Sequence, residues 1–93
     1  MNTGFEDWIK NNPEKFKEIQ RDIMIDVYKI EVGKNIPLNF GGDKKLGKVL
    51  TEPDLELTFK VRIPDGIHNT RDVTIRAVDF EDDIFLGVEV IQP

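Results

Sequence analysis

The sequence LELTFKVRI at residues 55–63 alternates apolar and polar side chains without interruption. Strict alternation with a period of two places every apolar side chain on the same face of an extended strand. The pattern therefore predicts a β-strand with one buried face, and another part of the chain must cover that face. We expect the N-terminal third of the chain, which has a helical pattern, to provide this cover.

Two further strands are predicted after this one. A register that sets Ile63 opposite Val73 keeps the apolar side chains of both strands on one side of the sheet. A tighter hairpin then places Ala77 beside Leu86, with residues 80–83 as its loop. The C-terminal half is thus predicted to be an antiparallel meander.

Two helices are predicted before the strands. Thr3 and Glu6 have the spacing of a capping box and open a short helix. Asn12 followed by Pro13 marks the start of a longer helix, which Gly33 is expected to end. The apolar residues predicted to face the sheet recur at steps of three and four: Phe16, Ile19, Ile23, Val27 and Ile30. A strand over residues 23–32 remains an alternative, because β-branched side chains are frequent there.

These elements predict an α+β fold in a single domain, residues 1–93. Residues 4–32 are helical, residues 34–54 form an irregular loop with an edge strand, and residues 55–91 form antiparallel strands. The helices, one short and one long, pack on the apolar face of a sheet of three to five strands. The alternative is a small five-stranded barrel with an N-terminal helix, in which the segment 34–54 contributes two strands that close the sheet.

The composition limits the classes of function. The 93 residues carry a net charge of −5 at pH 7 and contain no cysteine, so disulfides, thiolate metal ligands and a cysteine nucleophile are excluded. No stretch approaches the roughly 18 apolar residues that span a bilayer, and the first residues lack the pattern of a signal peptide. We therefore expect a cytoplasmic protein that does not enter a membrane. The acidic charge argues against general binding of nucleic acid.

Residues 42–48 have the glycine and lysine spacing of a phosphate-binding loop. The next residue is Val49, where such a loop needs a Ser or Thr hydroxyl to hold magnesium. Residues 51–54 are also poorly suited to begin the helix whose N-terminus would receive the phosphate. The segment is therefore interpreted as a lysine-bearing loop.

Two other patterns each lack a necessary part of a catalytic or metal site. His68 is the only histidine, so a zinc-binding pair is impossible, and a catalytic triad would depend on this one side chain in a hairpin loop. The acidic residues that begin at Asp79 are spaced like the start of a calcium loop, but Ile84 stands in place of its glycine and Val90 in place of its glutamate. The sequence predicts no catalytic residue, no metal ligand and no cofactor, and hence no enzyme.

Two groups of apolar side chains lie outside the predicted core. On the long helix these are Met24, Ile25, Tyr28 and Val32, and the short helix could cover them. On the outer face of the sheet they are Val78, Phe85 and Ile91. Exposed apolar patches of this kind often mark an interface.

The leading hypothesis for function is a small acidic protein-binding module that acts as an adaptor, inhibitor or assembly factor. Its partner is another protein, with a homodimer as a further option. The predicted partner-binding residues are three apolar anchors and an acidic rim: Val78, Phe85, Ile91, Glu81, Asp82 and Asp83.

A basic patch on the sheet gives the alternative function, which is binding of an anion or nucleic acid. The predicted register sets Lys60 opposite Arg76, and like charges in that position destabilise a sheet unless Glu56 or Glu89 compensates. A bound phosphate or carboxylate could compensate instead. The residues of this alternative site are Lys60, Arg62, Arg76, Lys44, Lys45 and Lys48.

Overall fold

The computed structural model describes residues 3–80 and 84–92. Its elements, in chain order, are α1 (Thr3–Asn11), α2 (Pro13–Tyr28), β1 (Asn35–Phe40), β2 (Asp43–Val49), β3 (Thr58–Pro64), β4 (Thr70–Asp79) and β5 (Leu86–Val90). The strands form an antiparallel meander that closes into a barrel through a parallel pairing of β1 with β5. The α+β class is confirmed, in the form of the five-stranded barrel with an N-terminal helix rather than the open sheet.

The alternation that predicted β3 does direct one face of this strand into the core. Phe59, Val61 and Ile63 are each at most 2% exposed, and the side chains between them point to solvent. All five strands contribute to the same core, together with the end of α2: Met24, Tyr28, Ile30, Ile36, Leu38, Val49, Phe59, Val61, Ile63, Ile75, Ala77, Leu86 and Val88.

β3 begins three residues later than the alternation implies. Asp54 accepts hydrogen bonds through Oδ1 from the backbone N–H groups of Glu56 and Thr58, both at 2.9 Å. Leu57 lies inside this turn with a φ of 62°. An aspartate side chain that bonds the backbone just after it stabilises a turn in place of an extended chain, so the strand starts only at Thr58.

The two C-terminal hairpins have registers that differ from the predicted ones by two residues. Val73 pairs with Val61 rather than with Ile63, and Ala77 pairs with Val88 rather than with Leu86. Because side chains alternate with a period of two, a shift of two leaves the same residues facing the core. The buried face was therefore predicted correctly, and the cross-strand neighbours were not.

Residues 34–54, expected to be mostly irregular, contain the hairpin of β1 and β2. Gly41 and Gly42 form its two-residue turn and have φ values of 67° and 107°, which glycine adopts without strain. Pro37 is accommodated because β1 pairs with β5 only at the two residues that follow it.

α2 begins at Pro13, as predicted, and ends at Tyr28, before the expected stop at Gly33. Lys29 adopts the left-handed conformation, with φ 55° and ψ 47°, and its backbone N–H donates to the carbonyl of Ile25. The alternative of a strand over residues 23–32 is therefore wrong.

The side of α2 that packs on the barrel is not the predicted one. Met24 is 1% exposed, and Tyr28 is also buried. Three of the residues predicted to face the core are instead exposed: Ile19, Ile23 and Val27. Successive helical residues are rotated by about 100°, so the buried and exposed apolar sides lie about a third of a turn apart. The molecule measures 53 × 23 × 23 Å, more than twice as long as it is wide.

Candidate functional site

An open groove lies between α2 and the end of β4. Its volume is about 500 Å³. Four of its six lining residues are apolar, and the full set is Gln20, Leu57, Ala77, Val78, Asp79 and Phe80. We refer to this feature as the groove.

The wall of the groove is shaped by a bulge in β4. Ala77 pairs with Val88 and Asp79 pairs with Gly87, so Val78 has no partner in the ladder with β5. A bulge of this kind turns a side chain away from its regular position, and Val78 is 55% exposed. The result is a large apolar side chain held at the surface by the backbone.

Contacts with the segment before β3 form the other sides of the groove. The backbone N–H of Ala77 donates to the carbonyl of Leu57 at 3.0 Å. One turn before Gln20, the Nζ of Lys17 lies 2.6 Å from Oε1 of Glu56. This contact joins α2 to the turn that carries Leu57, at a point on the helix that is distant from the buried C-terminal end of α2. The sequence did not indicate Gln20 or Leu57 as lining residues. Leu57 falls on the side of the alternation that was predicted to face the core.

Phe85 is half-buried just before β5. The Nζ of Lys44 lies 4.8 Å from the centre of its ring, which is the geometry of a cation–π contact. One of the predicted anchors therefore already contacts a cation of the same chain.

The predicted partner-binding residues do not all lie at the same end of the barrel. Val78 and Phe85 are at the end where α2 packs, since β4 ends and β5 begins there. Ile91 follows the last residue of β5, and its backbone N–H donates to the carbonyl of Thr74. Five strand residues separate the two ends by about 16 Å. The predicted acidic rim of Glu81, Asp82 and Asp83 is outside the described residues.

The like-charge contact that suggested an anion site does not form. Lys60 pairs with Thr74, and Arg76 pairs with Thr58 on one side and with Glu89 on the other. The guanidinium of Arg76 donates to the carboxylate of Glu89. The predicted register of Lys60 opposite Arg76 is wrong because the hairpin loop is shorter than expected.

Arg62 is also paired with a carboxylate. Its Nε and one terminal nitrogen donate to the two oxygens of Asp72 at 2.8 and 3.2 Å. This hydrogen bonding lowers the pKa of Asp72 and raises the pKa of Arg62, and Lys60 lowers the pKa of Asp72 further through its charge. The pair is exposed, so water screens it.

The lysines of the alternative site are spread over two strands. Lys45 lies 3.4 Å from Asp43, and Lys44 contacts the ring of Phe85. Within the described ranges, Lys48 and Lys60 make no ion pair at 4 Å or less. The segment that resembles a phosphate loop is a glycine turn followed by β2, and the next element after it is the strand β3.

A second apolar surface lies on α2, and we call it the helix stripe: Phe16, Ile19, Ile23 and Val27. Phe16 is half-buried and the other three residues are exposed. On α1, Phe5 and Trp8 are exposed as well, and their rings stack with centres 6.4 Å apart. The sequence showed this stripe through its spacing but assigned it to the core.

His68 is exposed in the loop between β3 and β4. Among residues 3–80 and 84–92, no three His, Asp or Glu side chains come close enough together to hold a metal ion. The helices that the structure describes are each too short or too polar to cross a membrane.

Fold and groove together define this chain as a five-stranded meander barrel with a helix packed on one end. Comparison with models of known protein families, with curated proteins and with solved structures finds no match for it.

Proposed function

We propose that this protein is a non-enzymatic protein-binding module, and that the groove receives an apolar side chain of its partner. Val78 carries the proposal. The bulge in β4 holds this side chain at the surface beside Leu57 and Phe80. An apolar side chain in this position has no favourable interaction with water. Apolar side chains gathered around a concave surface are typical of a site that binds an anchor residue of another protein.

The charge of the chain suggests which partner fits the groove. Asp79 lies in its lining, and residues 51–93 carry four Lys and Arg against ten Asp and Glu. A partner segment with an apolar residue flanked by lysine or arginine would match both properties. Charge complementarity of this kind mainly raises the rate of association and makes it sensitive to salt.

The proposed role is that of an adaptor, inhibitor or assembly factor in the cytoplasm. A cytoplasmic location is the default for a chain of this size and composition. Fractionation of the native cell, followed by detection of the protein, tests the location independently of the binding role.

Affinity capture from the native cell extract tests the binding role. Val78→Asp places a charge in the apolar wall of the groove, and we expect it to reduce capture of the partner at least tenfold, as for the loss of a central anchor. The matched control is Ile67→Asp, which changes a residue that is 92% exposed in the loop at the other end of the barrel.

The control variant should capture the same partner as the wild-type protein. Phe85→Ala, at the same end of the barrel as Val78, shows whether the contact extends beyond the groove. The proposal fails if Val78→Asp retains every partner that the wild-type protein captures.

A further inference from the structure

We propose that the helix stripe is the interface between two copies of this chain, which associate through antiparallel α2 helices. None of the four stripe residues lines the groove, although Gln20 of the groove lies beside the stripe, so the inference goes beyond the proposed function and does not depend on it.

Within the described parts of the chain, three of the four stripe residues are left exposed. Ile19, Ile23 and Val27 follow one another along more than two turns of α2 and are all exposed, with Ile23 at 55%. The barrel packs on a different side of the helix, at Met24 and Tyr28. Apolar residues at steps of three and four along an exposed helix are the pattern by which one helix packs on another.

The charges beside the stripe favour a second, antiparallel copy. Lys15, Asp22 and Asp26 lie along one margin of the stripe, as the rotation of about 100° per residue requires, and their side chains are exposed. When two copies run antiparallel with Ile19 opposite Ile23, each Lys15 lies opposite Asp26 of the other copy. The two-fold symmetry forms this ion pair twice. The two Asp22 carboxylates come near each other at the two-fold axis, and each is already 3.4 Å from Arg21 of its own chain.

The ion pairs that Lys15 and Asp26 form within one copy can be exchanged for ion pairs between two copies. Lys15 is 3.7 Å from Glu18, and Asp26 is 3.8 Å from Lys29. Both are long, exposed contacts within one helix, which contribute little stability. Replacing them by contacts between two copies therefore costs little free energy.

A parallel arrangement lacks this complementarity. It would set the margin with Lys15, Asp22 and Asp26 against the opposite margin of the other copy, where Pro13 and Gln20 carry no charge. It would also bring the two barrels to the same end of the helix pair, because each barrel packs on the C-terminal half of its own α2. The antiparallel arrangement puts the barrels at opposite ends.

The size of the surface indicates a weak dimer. α2 has 16 residues and is therefore about 24 Å long. A pair of helices of this length, with four apolar side chains from each copy, buries on the order of 1,000 Å² in total, near the lower limit for a specific interface. We expect a dissociation constant in the micromolar range.

Sedimentation of the intact chain over a series of concentrations tests the interface. The wild-type protein should shift from monomer to dimer as its concentration rises. Ile23→Asp should raise the dissociation constant at least thirtyfold, while Ile67→Asp, the same change at an exposed residue far from α2, should leave it within twofold. Circular dichroism of both variants checks that they are folded. A wild-type protein that stays monomeric at high micromolar concentration overturns the proposal, as does an Ile23→Asp variant that dimerises normally.

An exchange of charges tests the antiparallel arrangement. Lys15→Asp alone and Asp26→Lys alone each place like charges at both ends of the interface, and each should weaken the dimer about three- to tenfold. A mixture of the two variants restores both ion pairs, so the mixed dimer should match the wild-type affinity within about twofold. If the mixture associates no better than either variant alone, the antiparallel arrangement is wrong. Partner capture by the groove would be unaffected by that outcome.

Discussion

Replacement of two neighbouring residues by alanine tests which side of α2 is buried. Met24 is 1% exposed and belongs to the core of the barrel, whereas Ile23 is 55% exposed. Truncation of a buried methionine costs about 2–5 kcal/mol, because apolar contacts are lost and a cavity remains. We expect Met24→Ala to lower the free energy of unfolding by about 3 kcal/mol.

The expected cost of Ile23→Ala is much smaller. The change removes the equivalent of about three methylene groups, each worth about 0.8 kcal/mol when fully buried. Since less than half of the Ile23 side chain is covered, the loss is about 1 kcal/mol, and the higher helix propensity of alanine offsets about 0.4 kcal/mol of it. The net change is about 0.5 kcal/mol.

Guanidinium unfolding followed by far-UV circular dichroism measures both variants. The protein is kept at low micromolar concentration, where association through the helix stripe adds little. In thermal unfolding, the expected difference corresponds to a Tm about 10–20 °C lower for Met24→Ala than for Ile23→Ala. If Ile23→Ala proves as destabilising as Met24→Ala, the helix packs on the side that its sequence pattern indicated, and the helix stripe is not a surface.

Three further changes have defined outcomes. A Cβ at Gly47 would lie 2.6 Å from Cδ1 of Leu38, which is fully buried, so Gly47→Ala should destabilise the protein by about 1–3 kcal/mol in urea unfolding; an unchanged midpoint would contradict this close packing. Lys29→Gly should stabilise it by about 1 kcal/mol, because Lys29 has a φ of 55° and only glycine adopts this conformation at little cost; a lower Tm would argue against the observed end of α2. Asp72→Asn removes a carboxylate whose pKa Arg62 lowers by hydrogen bonding. The stabilisation it provides is present above the ordinary carboxyl pKa of about 3.9 and is lost as the pH falls through the lowered value. The free energies of unfolding of wild type and variant should thus differ at neutral pH and converge in acid. A difference in stability that persists at about pH 2 would contradict the pairing.

The strand faces could be predicted from the sequence because they follow from local alternation. Phe59, Val61 and Ile63 are buried as their spacing predicted. The register could not be predicted with the same certainty, because a shift of two residues keeps every apolar side chain on the same face. The register is set by the lengths of the turns. The bulge between Ala77 and Asp79 also shifts it and leaves no clear signal in the residue types.

The packing of α2 shows a different limit of prediction from the sequence. Its sequence has two apolar sides, one with Ile19 and Ile23 and one with Met24 and Tyr28, and the first is the more regular. Which side is buried depends on where the helix meets the barrel, and that position is set by residues distant in sequence. The groove has the same origin, since Gln20, Leu57 and Val78 come from three separate elements.

The closing of the barrel affects how this chain can fold during its synthesis. β1 meets β5 through Leu38 and Leu86, about fifty residues apart, and both are fully buried. A nascent chain that lacks β5 leaves the inner side of β1 open to water while it is still attached to the ribosome. Contacts between such distant residues form slowly, and unpaired strands are prone to aggregate in the meantime. The five residues of β5, made last among the elements, therefore complete the interior for all the others.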